Sequence, residues 1–293
     1  RRYGATEAVH ALNLTVPTGC ICALLGPNGA GKTTTLKLLM NLLRPTSGRA
    51  EVLGVDCSRL GEREFAQIGY VSENQQLPLW MTVQQLLDYC RPFYPTWDRA
   101  LEKQLLTQFQ LPADRRLQQL SRGMLMKAAL LASLAYRPRL LVLDEPFSGL
   151  DPLVRDEFVH GLLEVSAHGD WTVLVSSHDI EEVERLVDRI AFLDTGHLRL
   201  SETTEVLQGR FRRVEMTGGN GAADAGPIRG ELEWARSGQL TRFVTTGYAG
   251  EGSERDWRAR FPGAAFNIQP MSLREIFVTL AREKSNGPAG GAA

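Results

Sequence analysis

Gly26, Pro27, Asn28, Gly29, Ala30, Gly31, Lys32, Thr33 and Thr34 spell the pattern G-x-x-x-x-G-K-[ST], with a second threonine behind it. The pattern constrains the fold because its backbone must curl between a strand and a helix. Both flanks comply: Ile21–Leu25 is an apolar run that reads as a buried strand, and Leu36, Leu39, Met40 and Leu43 recur at helical spacing in a segment predicted as a helix from Lys32 to Leu43. The glycines let the loop aim its N–H groups inward, and the helix N-terminus adds partial positive charge where a phosphate would sit. Lys32 can reach β- and γ-phosphates, and the Thr33 hydroxyl can ligate Mg²⁺. A glycine-rich turn without a ligand has no need of Lys-Thr at this offset, so the chain reads as a binder of nucleoside triphosphate.

Composition narrows the setting. The chain has 293 residues, 43% of them hydrophobic, enough for one large domain or two smaller ones with a full core. A formal net charge of −1 argues against a bulk electrostatic grip on nucleic acid or anionic lipid. Cys20, Cys22, Cys57 and Cys90 lack a second Cys or His pair at metal spacing and read as core thiols, reduced as in a cytosolic protein. No stretch is long enough to span a bilayer; the best candidate, Ala128–Tyr136, is stopped by Arg137-Pro138-Arg139. No secretory leader is read at the start, where the chain opens at Arg1.

Strands alternate with helices along most of the chain. Val52–Val55 and Ile68–Val71 are short β-prone runs, followed by helices carrying Val83, Leu86, Leu87 and Cys90, then Leu101, Leu105, Leu106 and Phe109. Leu140–Leu143, Thr172–Ser177 and Ile190–Leu193 read as buried strands, separated by helices predicted from about Pro152 to Ala167 and from Asp179 to Val187. The order predicts an α/β fold with a mostly parallel sheet. After Glu205 the composition shifts: Thr217–Gly230 is rich in Gly and Ala and reads as a loose connection, and Leu240–Thr246 and Ala264–Ile268 read as strands. Ser253–Phe261 reads as a helix, and Ser272-Leu-Arg-Glu275 is a capping box opening a helix toward Arg282. Residues 206–284 are thus expected to form a small α+β appendage, and 285–293 a disordered tail.

Hydrolysis would need metal positioning and a base beside the phosphate loop. The apolar run Leu140–Leu143 ends in Asp144-Glu145, where strand ends of open α/β sheets collect such groups. Asp144 is placed to hold Mg²⁺ and Glu145 to polarise the attacking water.

At this point the chain resembles the nucleotide-binding subunit of an ATP-binding cassette (ABC) transporter, over about residues 1–205. Leu120-Ser-Arg-Gly-Met124 is similar to the family signature L-S-G-G-Q, Ser148–Asp151 matches the D-loop, His178 the switch histidine, and Tyr3 the aromatic that stacks on adenine. The resemblance implies a P-loop NTPase cassette with residues 74–135 as an inserted helical subdomain, ATP and Mg²⁺ as ligands, and hydrolysis with Lys32, Glu145 and His178 as catalytic residues. It also implies head-to-tail pairing, as homodimer or heterodimer, in which Ser121 and Gly123 of one copy, with Asp151 nearby, cap the γ-phosphate held by Lys32 of the other. A separate transmembrane permease subunit would hold the chain at the cytoplasmic face of the membrane, with no nucleic acid as partner. Tyr70-Val-Ser-Glu-Asn74, the signature and Met271–Phe277 look similar to ABC-2 type exporters.

The sequence departs from the family pattern at two places. Glu73 stands where a Gln-loop glutamine is usual, with Gln75 and Gln76 as possible substitutes; as a carboxylate Glu73 could still ligate Mg²⁺, and Glu73→Gln is expected to retain turnover. Arg122 and Met124 replace Gly and Gln of the signature. The aromatic cluster Trp80, Tyr89, Phe93, Tyr94 and Trp97 reads mostly as packing of the helical subdomain, with Trp80 and Tyr94 as candidates for exposure near the expected permease contact. The competing readings are a soluble ABC ATPase acting on DNA or ribosomes, for which the coiled-coil, zinc-module or tandem-cassette features are absent, and a regulatory subunit with little turnover. A kinase with the same phosphate loop would lack the signature and His178.

Overall fold

The structure is a computed structural model that describes residues 1–4, 6–166, 171–219 and 230–286. In chain order its strands and helices begin with β1 (Arg2–Tyr3), β2 (Thr6–Glu7), β3 (Ile21–Leu25), α1 (Lys32–Leu39), β4 (Glu51–Val52), β5 (Val55–Asp56), α2 (Glu62–Phe65) and β6 (Ile68–Ser72). Three helices follow, α3 (Val83–Cys90), α4 (Arg99–Gln108) and α5 (Arg122–Leu134), and then β7 (Leu140–Asp144), α6 (Pro152–Ser166), β8 (Thr172–Ser177), β9 (Arg189–Asp194) and β10 (His197–Thr203). The last segment holds α7 (Thr204–Arg210), β11 (Arg212–Thr217), β12 (Glu231–Ser237), β13 (Leu240–Thr245), α8 (Glu251–Arg260), β14 (Ala265–Pro270) and α9 (Leu273–Asn286). Close contacts divide the chain into two units, Arg1–Ser201 and Glu202–Ala293.

The first unit is built on a six-stranded sheet of order β10-β9-β3-β8-β7-β6, in which β3 pairs in parallel with β8 and β9, and β7 with β6 and β8. The apolar runs form its interior because strands covered on both faces have no solvent side on which to place polar residues. Cys22, Leu24, Leu36, Val142, Leu174, Ala191 and Leu193 share one buried cluster. Burial pushes the Cys22 thiol up to about 12, an unreactive core thiol as its spacing implies. The register matters most. Leu25 lies opposite Ser177 and Phe192, Asp144 opposite Ser176, and Ser72 opposite Asp144, so four strands end along one edge. The residue after each strand is delivered to the same place.

Local chemistry moves several predicted boundaries. The helix after the phosphate loop stops at Leu39 because Asn41 turns left-handed (φ 54°), with its N–H on the Leu38 carbonyl and that of Leu42 on Lys37. This is a Schellman stop, which the hydrophobic spacing through Leu43 does not reveal. Val52–Val55 is not one run: Leu53 and Gly54, both at positive φ, turn β4 back onto β5. The helix expected from Asp179 to Val187 is a single 3₁₀ turn, Ile180–Glu182, followed by further turns. Ile180, Val183 and Leu186 are all buried, and their spacing of three suits the tighter turn. The Asp179 carboxylate accepts from Glu181 N, closing that turn locally.

The second unit is a four-stranded antiparallel sheet of order β12-β13-β11-β14 with α7, α8 and α9. Val214, Phe243 and Trp257 form its core with Trp234, Tyr248 and Phe266 against them. The capping box is realised: Glu275 Oε2 accepts from Ser272 N at 2.8 Å and Ser272 Oγ from Glu275 N at 3.3 Å. The helix it opens runs past Arg282 to Asn286. The loose connection predicted over Thr217–Gly230 lies outside the described residues except for 217–219 and 230; of the tail expected over 285–293, Ser285 and Asn286 instead continue α9, and the rest lies outside the described residues.

Asn41 provides a test of the helix stop. Asn41→Gly should be neutral or slightly stabilising, whereas Asn41→Val should cost about 1–2 kcal/mol through its left-handed backbone, read by urea denaturation. Equal midpoints for the two variants would refute the assignment.

Candidate active site

The phosphate loop leaves the C-terminal end of β3. An ideal Cβ on Gly26 would lie 2.1 Å from the Leu193 carbonyl oxygen, and one on Gly31, at φ +99°, 2.4 Å from that of Ala8. Only glycine fits this path. Gly26 N donates to the Ser177 carbonyl, Ala30 N to Pro27 and Gly196 N to Ala30, so neighbouring strand ends hold the loop. Pro27, Asn28 and Gly29 form an exposed crest while Ala30 and Lys32 are buried. Thr33 and Thr34 lie in the first turn of α1, whose N–H groups have no helical carbonyl to bind. A backbone cradle of this kind fits a polyphosphate.

Lys32 Nζ donates to the Gly26 carbonyl at 2.6 Å and the Pro27 carbonyl at 3.2 Å, and lies 3.0 Å from Glu145 Oε1. The Thr33 hydroxyl donates to Asp144 Oδ1 at 3.0 Å, and the buried Ser176 hydroxyl donates to the same oxygen at 2.8 Å. Asp144 is buried. A hard hydroxyl oxygen and a carboxylate converging beside a phosphate cradle suit Mg²⁺. Glu145 sits in the left-handed region (φ 50°), its N–H donating to Ser176 Oγ at 2.9 Å. That backbone costs about 1 kcal/mol for a side chain with a Cβ, and Ser176 holds it in place. The other oxygen of Glu145 lies 2.8 Å from His178 Nδ1, and this bond to the carboxylate is the main cause that raises the His178 pKa above 6.5.

The structure therefore brings Lys32, Thr33, Asp144, Glu145 and His178 together at the phosphate loop. It also adds Ser176, which the sequence reading passed over inside an apolar strand. The signal was present: a serine ending a run of Val and Leu is an unexplained buried hydroxyl. Glu182, likewise buried, accepts from Ser177 Oγ at 2.5 Å and braces the turn that follows His178.

Other expected residues lie apart. Tyr3 is 44% exposed on the β1–β2 hairpin, with the Arg1 guanidinium 4.8 Å over its ring. Ser121 Oγ accepts from Met124 N at 3.2 Å as the N-cap of α5, and Gly123 packs against Val154. Asp151 Oδ1 accepts from Val154 N at 3.0 Å, capping α6. Among the described residues no hydrogen bond joins Ser121, Gly123 or Asp151 to the phosphate loop of the same chain.

Glu73 makes contacts of its own. Its N–H donates to the Asp144 carbonyl, but its carboxylate turns to Arg122 and to the Ser148 hydroxyl, so the side chain is engaged away from the Thr33–Asp144 pair. Gln75, the proposed substitute, is exposed and folds back toward Ser72 N at 3.4 Å, and Gln76 is also exposed. The aromatic cluster follows its expected roles at Trp80 and departs from them at Tyr89, Phe93 and Tyr94. Trp80, Tyr89 and Phe93 are exposed, with Leu79 beside Trp80, while Tyr94 is half-buried and stacked on Tyr136 at 3.7 Å.

Comparison with known proteins agrees with this geometry. Residues 9–148 match the family model described as ABC transporter. An uncharacterized ABC transporter ATP-binding protein of Nostoc is 38% identical over 222 residues, 73% of this chain and 65% of the relative. The Nod factor export ATP-binding protein I of Neorhizobium galegae is 30% identical over 288 residues, 95% of this chain and 82% of the relative. The chain belongs to the ABC transporter ATP-binding family. A solved ATP-binding subunit of an ABC transporter superposes with a TM-score of 0.63 at 28% identity, covering 71% of this chain and 88% of that one. The ABC-cassette fold, an α/β P-loop NTPase architecture, follows from that match and from the parallel sheet. This chain spans less than two thirds of the Nostoc relative's length. Among the described residues no helix is long and apolar enough to cross a membrane.

Two outcomes follow from these contacts. Because its pKa is raised in the folded protein, the His178–Glu145 ion pair contributes fully below pH 6.5 and fades as pH rises through the raised value. An NMR titration should place His178 above 6.5, and Glu145→Gln should bring it back toward that value; a titration indifferent to Glu145→Gln would show that another group sets it. Ser176→Ala should cost about 1–3 kcal/mol in chemical denaturation, since it strips a buried donor from Asp144 and an acceptor from Glu145 N. Unchanged stability would mean that neither bond matters to the fold.

Proposed function

We propose that this chain binds ATP with Mg²⁺ and hydrolyses it, as the nucleotide-binding subunit of a membrane transporter. The observation that carries the reading is the convergence of Lys32, the Thr33–Asp144 pair and Glu145–His178 on one glycine cradle. The loop N–H groups and Lys32 hold the phosphates. Thr33 and Asp144 would hold the metal, whose charge offsets that developing on the phosphate oxygens. Glu145 orients water for attack on the γ-phosphorus and takes up its proton; ADP and inorganic phosphate leave. His178 holds Glu145 from the far side, so its protonation couples to the position of the base.

Ser121 and Gly123 stand at the N-terminus of α5, and among the described residues no hydrogen bond joins them to the phosphate loop of the same chain. This supports head-to-tail pairing, in which α5 of one copy presents its N-terminus to the nucleotide of another. Leu79 and Trp80 before α3, Tyr89 on it and Phe93 after it are exposed and give this stretch an apolar surface, with Tyr89 and Phe93 in edge contact. Such a surface suits a protein contact, and it is our candidate for contact with a separate permease subunit at the cytoplasmic face of the membrane. Export is the proposed direction, supported by the resemblance to ABC-2 type exporters and by the relative named for Nod factor export, whose alignment extends through the C-terminal unit.

The purified chain should release phosphate from ATP in a Mg²⁺-dependent manner, with Lys32→Ala and Glu145→Gln each reducing turnover by about 10²-fold or more. Glu145→Gln should still bind ATP and, tagged in its native host, co-purify with a multi-spanning membrane protein. Recovery with ribosomes or nucleic acid instead would replace the transporter reading with that of a soluble ATPase.

A further inference from the structure

Three segments meet at one carboxylate oxygen. Arg122, the first residue of α5, donates Nη2 to Glu73 Oε1, and the Ser148 hydroxyl donates to the same atom at 2.9 Å. Glu73 is itself anchored at the strand edge, its N–H on the Asp144 carbonyl at 3.0 Å. The arginine head lies against Gly149, where an ideal Cβ would come within 3.0 Å of Arg122 Nη1. The two ends of this ion pair are Glu73 and Arg122, two of the positions where the chain departs from the cassette pattern. Each departure is awkward alone: Glu73 adds negative charge near a polyphosphate site, and Arg122 puts a long cation beside Ser121. Joined, they neutralise each other.

We propose that Glu73 and Arg122 are a matched pair of positioning residues. Together with Ser148 they clasp the N-terminus of α5 and the 148–151 turn to the strand end that carries Asp144. The clasp orients Ser121, the N-cap next to Arg122, without touching substrate, and Glu73 is not a metal ligand. Side chains 51% and 28% exposed leave the pair within reach of water and salt, so the clasp can open. The inference rests on the ATPase reading for its kinetic consequence, and on geometry alone for the pairing.

The test is a double-mutant cycle on the whole chain with Glu73→Gln, Arg122→Gln and both, followed by the charge reversal Glu73→Arg with Arg122→Glu. Each single change should lower kcat for ATP about five-fold while KM stays within about two-fold; the double variant should be no worse than either, and reversal should recover most of the loss. Multiplying losses in the double variant, or a reversal no better than the singles, would overturn the clasp. A weakened Mg²⁺ dependence in Glu73→Gln at unchanged saturating kcat would overturn it differently, by making Glu73 a metal ligand. Thermal unfolding of the same proteins reports the pairing without turnover: coupled shifts in Tm support it and additive shifts refute it. If wild type and Lys32→Ala release phosphate equally, the ATPase reading fails, and the unfolding cycle alone decides the pairing.

Discussion

The Asp144 carboxylate organises the site. It is buried at the end of β7, and two hydroxyls donate to the same oxygen: Thr33 from the start of α1 and Ser176 from β8. A buried charge is tolerated only where donors replace its water, so strand, helix and strand must all arrive in register. Parallel pairing supplies that register, with Asp144 opposite both Ser176 and Ser72. One Ser176 oxygen then serves two purposes, donating to Asp144 and accepting from the left-handed Glu145 N–H. The left-handed Glu145 is thus held by the same atom that satisfies the Asp144 carboxylate.

Charge balance at the loop explains the rest of the arrangement. Lys32 and His178 approach opposite oxygens of Glu145, one ammonium and one imidazole around a single carboxylate. A phosphate competing for Lys32 would shift that balance, which links the nucleotide to the base through electrostatics alone. The Glu73–Arg122 contact applies the same logic at the far end of the edge: an acid introduced near the site is matched by a base introduced on α5.

Much of this is legible in the sequence. Gly26 to Thr34 announced a phosphate loop because a glycine cradle and a lysine at fixed offset are local chemistry, and Asp144-Glu145 stood out because two acids ending an apolar strand need a purpose. The capping box at Ser272 is equally local and formed as read. Failures came where neighbours decide. The stop at Asn41 depends on one left-handed residue, the short turn at Ile180–Glu182 on burial at a spacing of three, and the exposure of Tyr89 and Phe93 on how α3 and the turn after it pack. An isolated carboxylate near a polyphosphate looks like a ligand, and the arginine that pairs with Glu73 lies 49 residues away.

From sequence alone came the phosphate loop, the order of the elements and the candidates for the reacting groups, since each is written in residues a few positions apart. The tertiary structure alone decided that Ser176 joins the site, that Glu73 pairs with Arg122, and that Ser121 and Asp151 serve as helix caps within their own chain. The reason is physical: short-range patterns specify what a side chain can do, whereas its hydrogen-bond partner is chosen by strand register and helix packing between segments distant in the chain.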